Sequence, residues 1–196
     1  LMDSQAHNLF AKAGWALDAD RRLQLTANRY QLEGDGDYLS VPGNVATDTT
    51  ATSVRGTPRL EPARNRSTSL SLDYSDRALA GGTLDAQLYW VDFEGRYGAA
   101  PWVNFFGNAP GSIWYDQSQN QSEKLGAKLG YSRGDLFGLP LRATFGLDLA
   151  RDTTSQVLLA SDLAWVPETT YDSVSPFVQA EWALGPVALS GGLRHE

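Results

Sequence analysis

Strict alternation of apolar and polar residues is the feature that most constrains the fold of this chain. Between residues 141 and 149 every odd position is apolar and every even position is small, polar or charged, as in Leu141, Arg142, Asp148 and Leu149. A period of two places the two sets on opposite faces of a β-strand, whereas a helix repeats every 3.6 residues. The alternation therefore predicts an all-β chain, and it recurs in the segments 9–17, 23–27, 70–75, 84–90, 125–131, 178–184 and 187–196.

The pattern predicts eight antiparallel strands of unusual length. Most of them hold about ten to twelve residues, whereas the mean strand of a globular domain holds about five or six. About ten residues is the length that a tilted strand needs to cross a bilayer. Strand length thus favours a transmembrane β-barrel, with strands over 6–17, 22–33, 65–75, 83–94, 121–132, 140–151, 172–184 and 187–196.

The predicted connections alternate between short and long. Outer-membrane barrels join their strands by short periplasmic turns and longer external loops, and carry aromatic girdles at both interfaces. Aromatic residues fall at predicted strand ends on the apolar face, at positions 15, 74, 90, 131 and 182. The alternative is a soluble β-protein with one core. The short connections are 18–21, 76–82, 133–139 and 185–186, and the long ones are 34–64, 95–120 and 152–171.

The same topology indicates which part of a barrel this is. With the short turns inside, the first strand runs inward and the eighth outward, so both ends of the chain lie outside. A complete bacterial barrel has an even number of strands and its ends meet in the periplasm. We therefore expect residues 1–196 to form part of one outer-membrane β-barrel domain. A small closed eight-stranded barrel with a structural or adhesive role is the alternative.

Composition argues against several other functions. The chain has no cysteine, which excludes disulfides and thiol catalysis, and only two histidines, His7 and His195. It contains no HExxH, GxxxxGK[ST] or GxSxG motif, so we expect no enzyme, no metal site and no cofactor. An outer-membrane protease or acyltransferase would need a convergent Ser/His or His/Asp set. The net charge of −7, with no basic run, argues against nucleic acid as a partner.

Four segments carry a family resemblance: Asn8–Trp15, Gly146–Asp152, Phe177–Trp182 and Leu189–Glu196. They resemble barrel strands of TonB-dependent outer-membrane receptors, and most closely the ferric siderophore receptor branch. The resemblance implies a 22-stranded barrel, filled by an N-terminal plug, in the bacterial outer membrane. The chain shows no plug, no TonB-contacting segment near its start and too few strands, so it resembles the middle third of such a barrel.

The resemblance also implies partners for the parent protein. These are a ferric siderophore or other metal chelate as the transported ligand, outer-membrane lipid and lipopolysaccharide, and the TonB complex, reached through the missing plug. The function implied is binding and import of the chelate, of which this chain would supply one segment.

The connection 95–120 is the candidate ligand-binding segment. It holds six aromatic residues, and aromatic side chains give flat, amphipathic contact at low entropic cost. The connection 34–64 carries a cluster of guanidinium groups that could attract an anionic chelate, namely Arg55, Arg59 and Arg64, with Arg66 just beyond. The alternative is that the rings pack the loop and that the arginines are solvated or contact lipopolysaccharide phosphates. The predicted ligand-binding residues are Tyr97, Trp102, Trp114, Tyr115, Arg96 and Arg55.

The alternation also predicts which way each side chain faces. Apolar positions in the strands should face lipid, among them residues 125, 127, 129, 141, 143, 145, 147, 178, 180 and 182. The polar positions should face the lumen, which is polar because it holds water or a plug. The predicted lumen residues are Lys12, Asp73, Asp85, Gln87, Lys128, Arg142, Asp148, Gln179, Glu181, Arg194 and Glu196.

Overall fold

The structure is a computed structural model that describes residues 4–34, 38–55, 61–98, 100–103 and 113–196. It is all-β apart from two single-turn 3-10 helices, Val45–Thr47 and Leu136–Gly138. The strands are β1 Ser4–Ala16, β2 Arg21–Gly34, β3 Tyr38–Val41, β4 Thr52–Arg55, β5 Ala63–Leu79, β6 Gly82–Arg96, β7 Ala100–Val103, β8 Ile113–Asp116, β9 Ser118–Arg133, β10 Leu141–Leu158, β11 Leu163–Leu184 and β12 Val187–Arg194.

Eight of these strands form one antiparallel sheet in the order β1-β2-β5-β6-β9-β10-β11-β12. Each long strand pairs with the next long strand along the chain, which confirms the eight predicted strands. The sheet is open, since β1 and β12 form no ladder with each other in the described part of the chain. The short strands form two separate hairpins, β3–β4 and β7–β8. No helix among the described residues is long and apolar enough to span a membrane.

The register divides the sheet into an apolar face and a polar face. Opposed residues line up across six strands, so Leu25, Leu72, Leu88, Ala127, Leu149 and Val174 form one apolar row. The neighbouring row on the other face is polar and consists of Gln24, Asp73, Gln87, Lys128, Asp148 and Ser175. The predicted division of the strand residues between the two faces is confirmed.

The apolar face is exposed instead of covered by a core. Among the described residues, only Ala143 and Leu158 are buried hydrophobic residues. A soluble sandwich would bury this face, because contiguous apolar patches beyond a few hundred Å² mark a membrane or protein interface. The structure thus argues against a soluble β-protein. Exposed members of the face include Leu9, Leu25, Leu70, Leu88, Leu125, Leu129, Phe145, Val174, Val178, Leu189 and Leu193.

The four connections that were predicted to be short all lie at one end of the sheet and join β1–β2, β5–β6, β9–β10 and β11–β12. We call this the turn end and the opposite end the mouth. The connections that contain the hairpins β3–β4 and β7–β8 lie at the mouth. The prediction that 152–171 forms a long loop is wrong. Strands β10 and β11 remain paired up to Leu158 and Leu163, and only a four-residue turn joins them.

Aromatic residues of the apolar face concentrate near the turn end, where Trp15, Tyr74, Tyr131 and Trp182 lie in or beside the last apolar rows. The Tyr131 hydroxyl donates to the carbonyl of Leu79 at 3.1 Å. Toward the mouth, the Trp90 indole N–H donates to Glu123 Oε1 at 2.8 Å. Rings that lie on an apolar face and point a donor at polar groups are typical of a bilayer interface.

Candidate ligand-binding mouth

The β7–β8 hairpin brings together three of the predicted ligand-binding residues. In its backbone register Trp102 opposes Trp114, and Tyr115 opposes Pro101. The backbones of these two tryptophans, which are twelve positions apart in sequence, are therefore directly opposed across the hairpin. The hairpin also packs near β3, so the two mouth hairpins are adjacent. Phe105 and Phe106, in the same predicted segment, lie outside the described residues.

Tyr97 and Arg96 lie at the base of this hairpin. The Tyr97 backbone N–H donates to the carbonyl of Ser118 at 3.0 Å, and its ring is half exposed. Arg96 is only 15% exposed and is already engaged. Its guanidinium donates twice to Gln119 Oε1, at 3.1 and 3.0 Å, and pairs with Glu61 at 3.1 Å. This geometry gives Arg96 a role in holding the mouth together.

The other arginines of the predicted cluster lie in different parts of the mouth. Arg55 opposes Tyr38 in the β3–β4 hairpin, which is adjacent to the β7–β8 hairpin. Arg59 lies outside the described residues. Arg64 and Arg66 share the buried carboxylate of Glu94, with closest contacts of 2.6 and 3.0 Å. By strand alternation, these three residues lie on the same face as Leu70 and Leu72. That ionic cluster is therefore on the outside of the sheet.

The polar face is a continuous ionic and aromatic surface. Gln87 Nε2 donates to Asp73 Oδ1 at 2.6 Å, and Arg194 pairs with Asp148 at 2.8 Å. Two basic groups also stack on rings: Lys128 lies 5.7 Å from the Tyr89 centroid and Arg194 lies 5.9 Å from that of Phe177. These distances are within the range of cation–π attraction.

Two glycines on neighbouring strands leave room for the Tyr89 and Phe177 rings. Tyr89 directly opposes Gly126, and Phe177 directly opposes Gly146. A Cβ at either glycine would overlap the opposing ring, so each ring lies flat over a residue that has no side chain. The result is a smooth concave surface with a cavity of about 920 Å³, lined by groups that include Arg22, Asp73, Asp85, Lys128, Asp148 and Arg194.

Comparison with known proteins identifies the architecture. Residues 8–196 match the family described as TonB dependent receptor-like, beta-barrel. The chain belongs to this family. Its members are receptors of the outer membrane and not enzymes, and the eight-stranded antiparallel sheet agrees with a segment of such a barrel. The match disfavours the alternative of a small closed eight-stranded barrel.

The chain is also similar to two curated proteins, both named as ferric aerobactin receptors. It is 25% identical over 205 residues to the ferric aerobactin receptor of Escherichia coli and equally to that of Klebsiella pneumoniae. Each alignment covers 92% of this chain and 27% of the relative. The chain thus spans about a quarter of the length of the curated relatives it matches. No solved structure gives a significant match.

Four residues at the mouth were missed by the sequence reasoning: Glu61, Asp116, Gln117 and Ser161. They hold the base of the β7–β8 hairpin, called the aromatic hairpin below, through hydrogen bonds between residues that are 44 to 56 positions apart in sequence. Contacts of this range leave no local pattern. The run of amides after Tyr115, at positions 117, 119, 120 and 121, was the only signal available.

Proposed function

We propose that this chain forms a wall and part of the outer mouth of an outer-membrane receptor that binds a ferric siderophore and admits it for TonB-dependent import. The mouth faces the outside and the turn end faces the periplasm. The observation that carries the proposal is the cross-strand pairing of Trp102 with Trp114 in a hairpin at the mouth of a receptor-family barrel. The names of the two relatives support iron chelates as the ligand class.

The contribution of this segment is capture of the ligand. Binding sites for large ligands are mostly apolar and aromatic, with few polar contacts, and hot spots are enriched in Trp, Tyr and Arg. Trp102, Trp114 and Tyr115 lie on one hairpin, and Tyr97 adds a half-exposed ring at its base. Arg55 is the predicted cationic residue that remains after Arg96 is assigned to Gln119 and Glu61.

The remaining parts of the proposed function involve other components that would contact this chain. A plug would fill the concave polar face, and the TonB complex would act on that plug to move the chelate inward. The exposed apolar face would contact outer-membrane lipid. The charged residues on the same outer face nearer the mouth, including Arg64 and Arg66, would lie at the level of lipopolysaccharide.

The test is ligand binding to the full-length receptor in detergent, with ferric aerobactin as the first probe and a ferric catecholate as the comparison. Replacing Trp102 and Trp114 by alanine should weaken binding by about 1–3 kcal/mol, or roughly 5- to 150-fold in Kd. Trp182→Ala, which removes the same side chain from the apolar face near the turn end, is the matched control and should leave Kd unchanged.

Heat-modifiable gel mobility establishes that each variant has folded. Loop residues contribute little to barrel pairing, so the double variant should retain it. If the wild-type receptor binds no ferric chelate, the proposed function is wrong. If it binds one and the folded double variant binds equally well, the ligand site lies in segments outside this chain.

A further inference from the structure

Two polar side chains at the base of the aromatic hairpin are almost inaccessible. Asp116 is 1% exposed and Gln117 is 4% exposed, although they lie at the mouth of a sheet whose described residues are mostly exposed. Burial of a carboxylate or an amide is costly unless its hydrogen bonds are made. Both side chains bond to backbone groups of other segments, so the cost of burial is offset by bonds that fix the relative positions of those segments.

Gln117 joins the hairpin to the connection between β2 and β5. Its Oε1 accepts from the backbone N–H of Glu61 at 3.0 Å, and its Nε2 donates to the carbonyl of the same residue at 2.7 Å. One side-chain amide thereby reproduces both bonds of a β-bridge. The same Nε2 also donates to the carbonyl of Tyr97 at 3.2 Å. The two sides of the hairpin base and the neighbouring connection are held by one side chain.

Asp116 joins the hairpin to the turn between β10 and β11. Its Oδ1 accepts from the backbone N–H groups of Gln117 and Ala160, both at 2.7 Å. Its Oδ2 accepts from the N–H of Ser161 at 3.2 Å and from the Ser161 hydroxyl at 2.8 Å. The Leu159 N–H donates to the carbonyl of Gln117 at 2.9 Å, which completes the junction. Hydrogen bonds to a carboxylate are stronger than neutral ones.

We propose that Asp116 and Gln117 are positioning residues for ligand capture. They hold the β7–β8 hairpin in one place at the mouth, so that Trp102 and Trp114 meet the chelate already ordered. This inference rests on the proposed function. A two-stranded ribbon of four-residue strands is not stable alone, so its order must come from what holds its base. When the binding-competent arrangement is only partly populated, the apparent Kd rises by the inverse of that fraction.

The test uses the full-length receptor with ferric aerobactin in detergent, and the variants Asp116→Ala and Gln117→Ala. Each should raise Kd about 5- to 30-fold, as expected when a preorganised arrangement falls to a minor population. Asp116→Asn keeps the Oδ1 acceptor for Ala160 but turns a donor toward the Ser161 N–H, so its effect should be intermediate. Asp172→Ala and Gln121→Ala remove the same chemical groups from exposed positions of the sheet and should leave Kd unchanged.

A role confined to barrel stability would alter folding and leave the affinity of the folded receptor intact. Two readouts therefore separate the roles. Hydrogen exchange should accelerate at the backbone N–H of Tyr97, Leu159 and Ala160 in the alanine variants, while exchange in the sheet is unchanged. In a double-mutant cycle, Trp102→Ala with Trp114→Ala should cost less affinity in the Asp116→Ala background than in the wild type, since the two changes act on the same contact.

Failure of this inference is distinguishable from failure of the proposed function. If the double tryptophan variant loses affinity while folded Asp116→Ala and Gln117→Ala keep it, the mouth binds the chelate and the positioning role is wrong. Additive losses in the cycle also overturn the positioning role. If Asp116→Ala does not fold, Asp116→Asn and Gln117→Ala decide by the same criteria. A wild-type receptor that binds no chelate overturns both.

Discussion

Replacing Phe145 with arginine tests the assignment of the apolar face to lipid. Phe145 is the third of five outward apolar positions on β10, which run from Leu141 to Leu149. Eight residue steps at about 3.4 Å span about 27 Å along the strand, or about 20 Å of height at a tilt near 40°. Phe145 therefore lies about 10 Å from either edge of the apolar band, and its side chain is 52% exposed.

The expected cost follows from that depth. An arginine at the midplane of a barrel's lipid face destabilises by about 2–4 kcal/mol, and the cost falls to about 0–1 near the interfaces. Snorkelling of the arginine side chain reduces this cost only when the guanidinium reaches the lipid headgroups, and the centre of the apolar band is the position farthest from them. Since Phe145 lies centrally, Phe145→Arg should lie within the full 2–4 kcal/mol range.

Gln179→Arg is the matched control. Gln179 is exposed on the polar face of β11, next to Val178, which directly opposes Phe145. Arginine there would face the polar lumen instead of lipid, so it should cost clearly less than Phe145→Arg. The assay is reversible denaturant titration of the full-length barrel in lipid vesicles, with folding and unfolding curves that superimpose. Equal costs for the two variants, or a Phe145→Arg cost within error of zero, would refute the assignment of the faces.

Two further predictions concern the polar face and the turn end. Gly126→Ala should destabilise the barrel by about 1–3 kcal/mol because its Cβ would overlap the Tyr89 ring, whereas Gly130→Ala on the same strand meets no atom within 4 Å and should be neutral in the same titration. The Arg21 guanidinium, helped by the Arg21 backbone N–H, holds the pKa of the Asp18 carboxyl below its ordinary value. The small stabilisation of the folded barrel by this ion pair is therefore present at neutral pH and is lost as the pH falls through the lowered pKa. NMR titration should show that the pKa of the Asp18 carboxyl returns toward its ordinary value in Arg21→Ala.

The strand pattern could be predicted from sequence because the membrane imposes it. A strand with lipid on one side and a polar lumen on the other must alternate, so the strand ends at the turn end were predicted to within a few residues. The same reasoning failed at the mouth, where β10 and β11 continue to Leu158 and Leu163. Beyond Leu149 the outward positions become polar, as at Arg151 and Thr153, and the apolar signal ends although backbone pairing does not.

The candidate site was predictable only where its residues are close in sequence. The aromatic segment could be recognised from composition, since six rings in one connection need no partner to be noticed. Its anchorage could not, because Asp116 and Ser161 are 45 positions apart and Gln117 and Glu61 are 56 apart. Such pairs become neighbours only when the strands between them are in register, and a single sequence does not contain that information.

The arginines show how pairing across strands changes a functional argument. Sequence proximity grouped Arg64 and Arg66 as a cationic cluster for an anionic chelate, but Glu94 on the neighbouring strand neutralises part of that charge. Arg96 is likewise held by Glu61 and Gln119. A paired guanidinium gives little long-range attraction, since the opposite charge cancels its field beyond a few ångströms. In the proposed function, the contribution of this segment to ligand capture is therefore mainly contact with aromatic surface, and Arg55 is the predicted arginine that remains for electrostatic steering of the chelate.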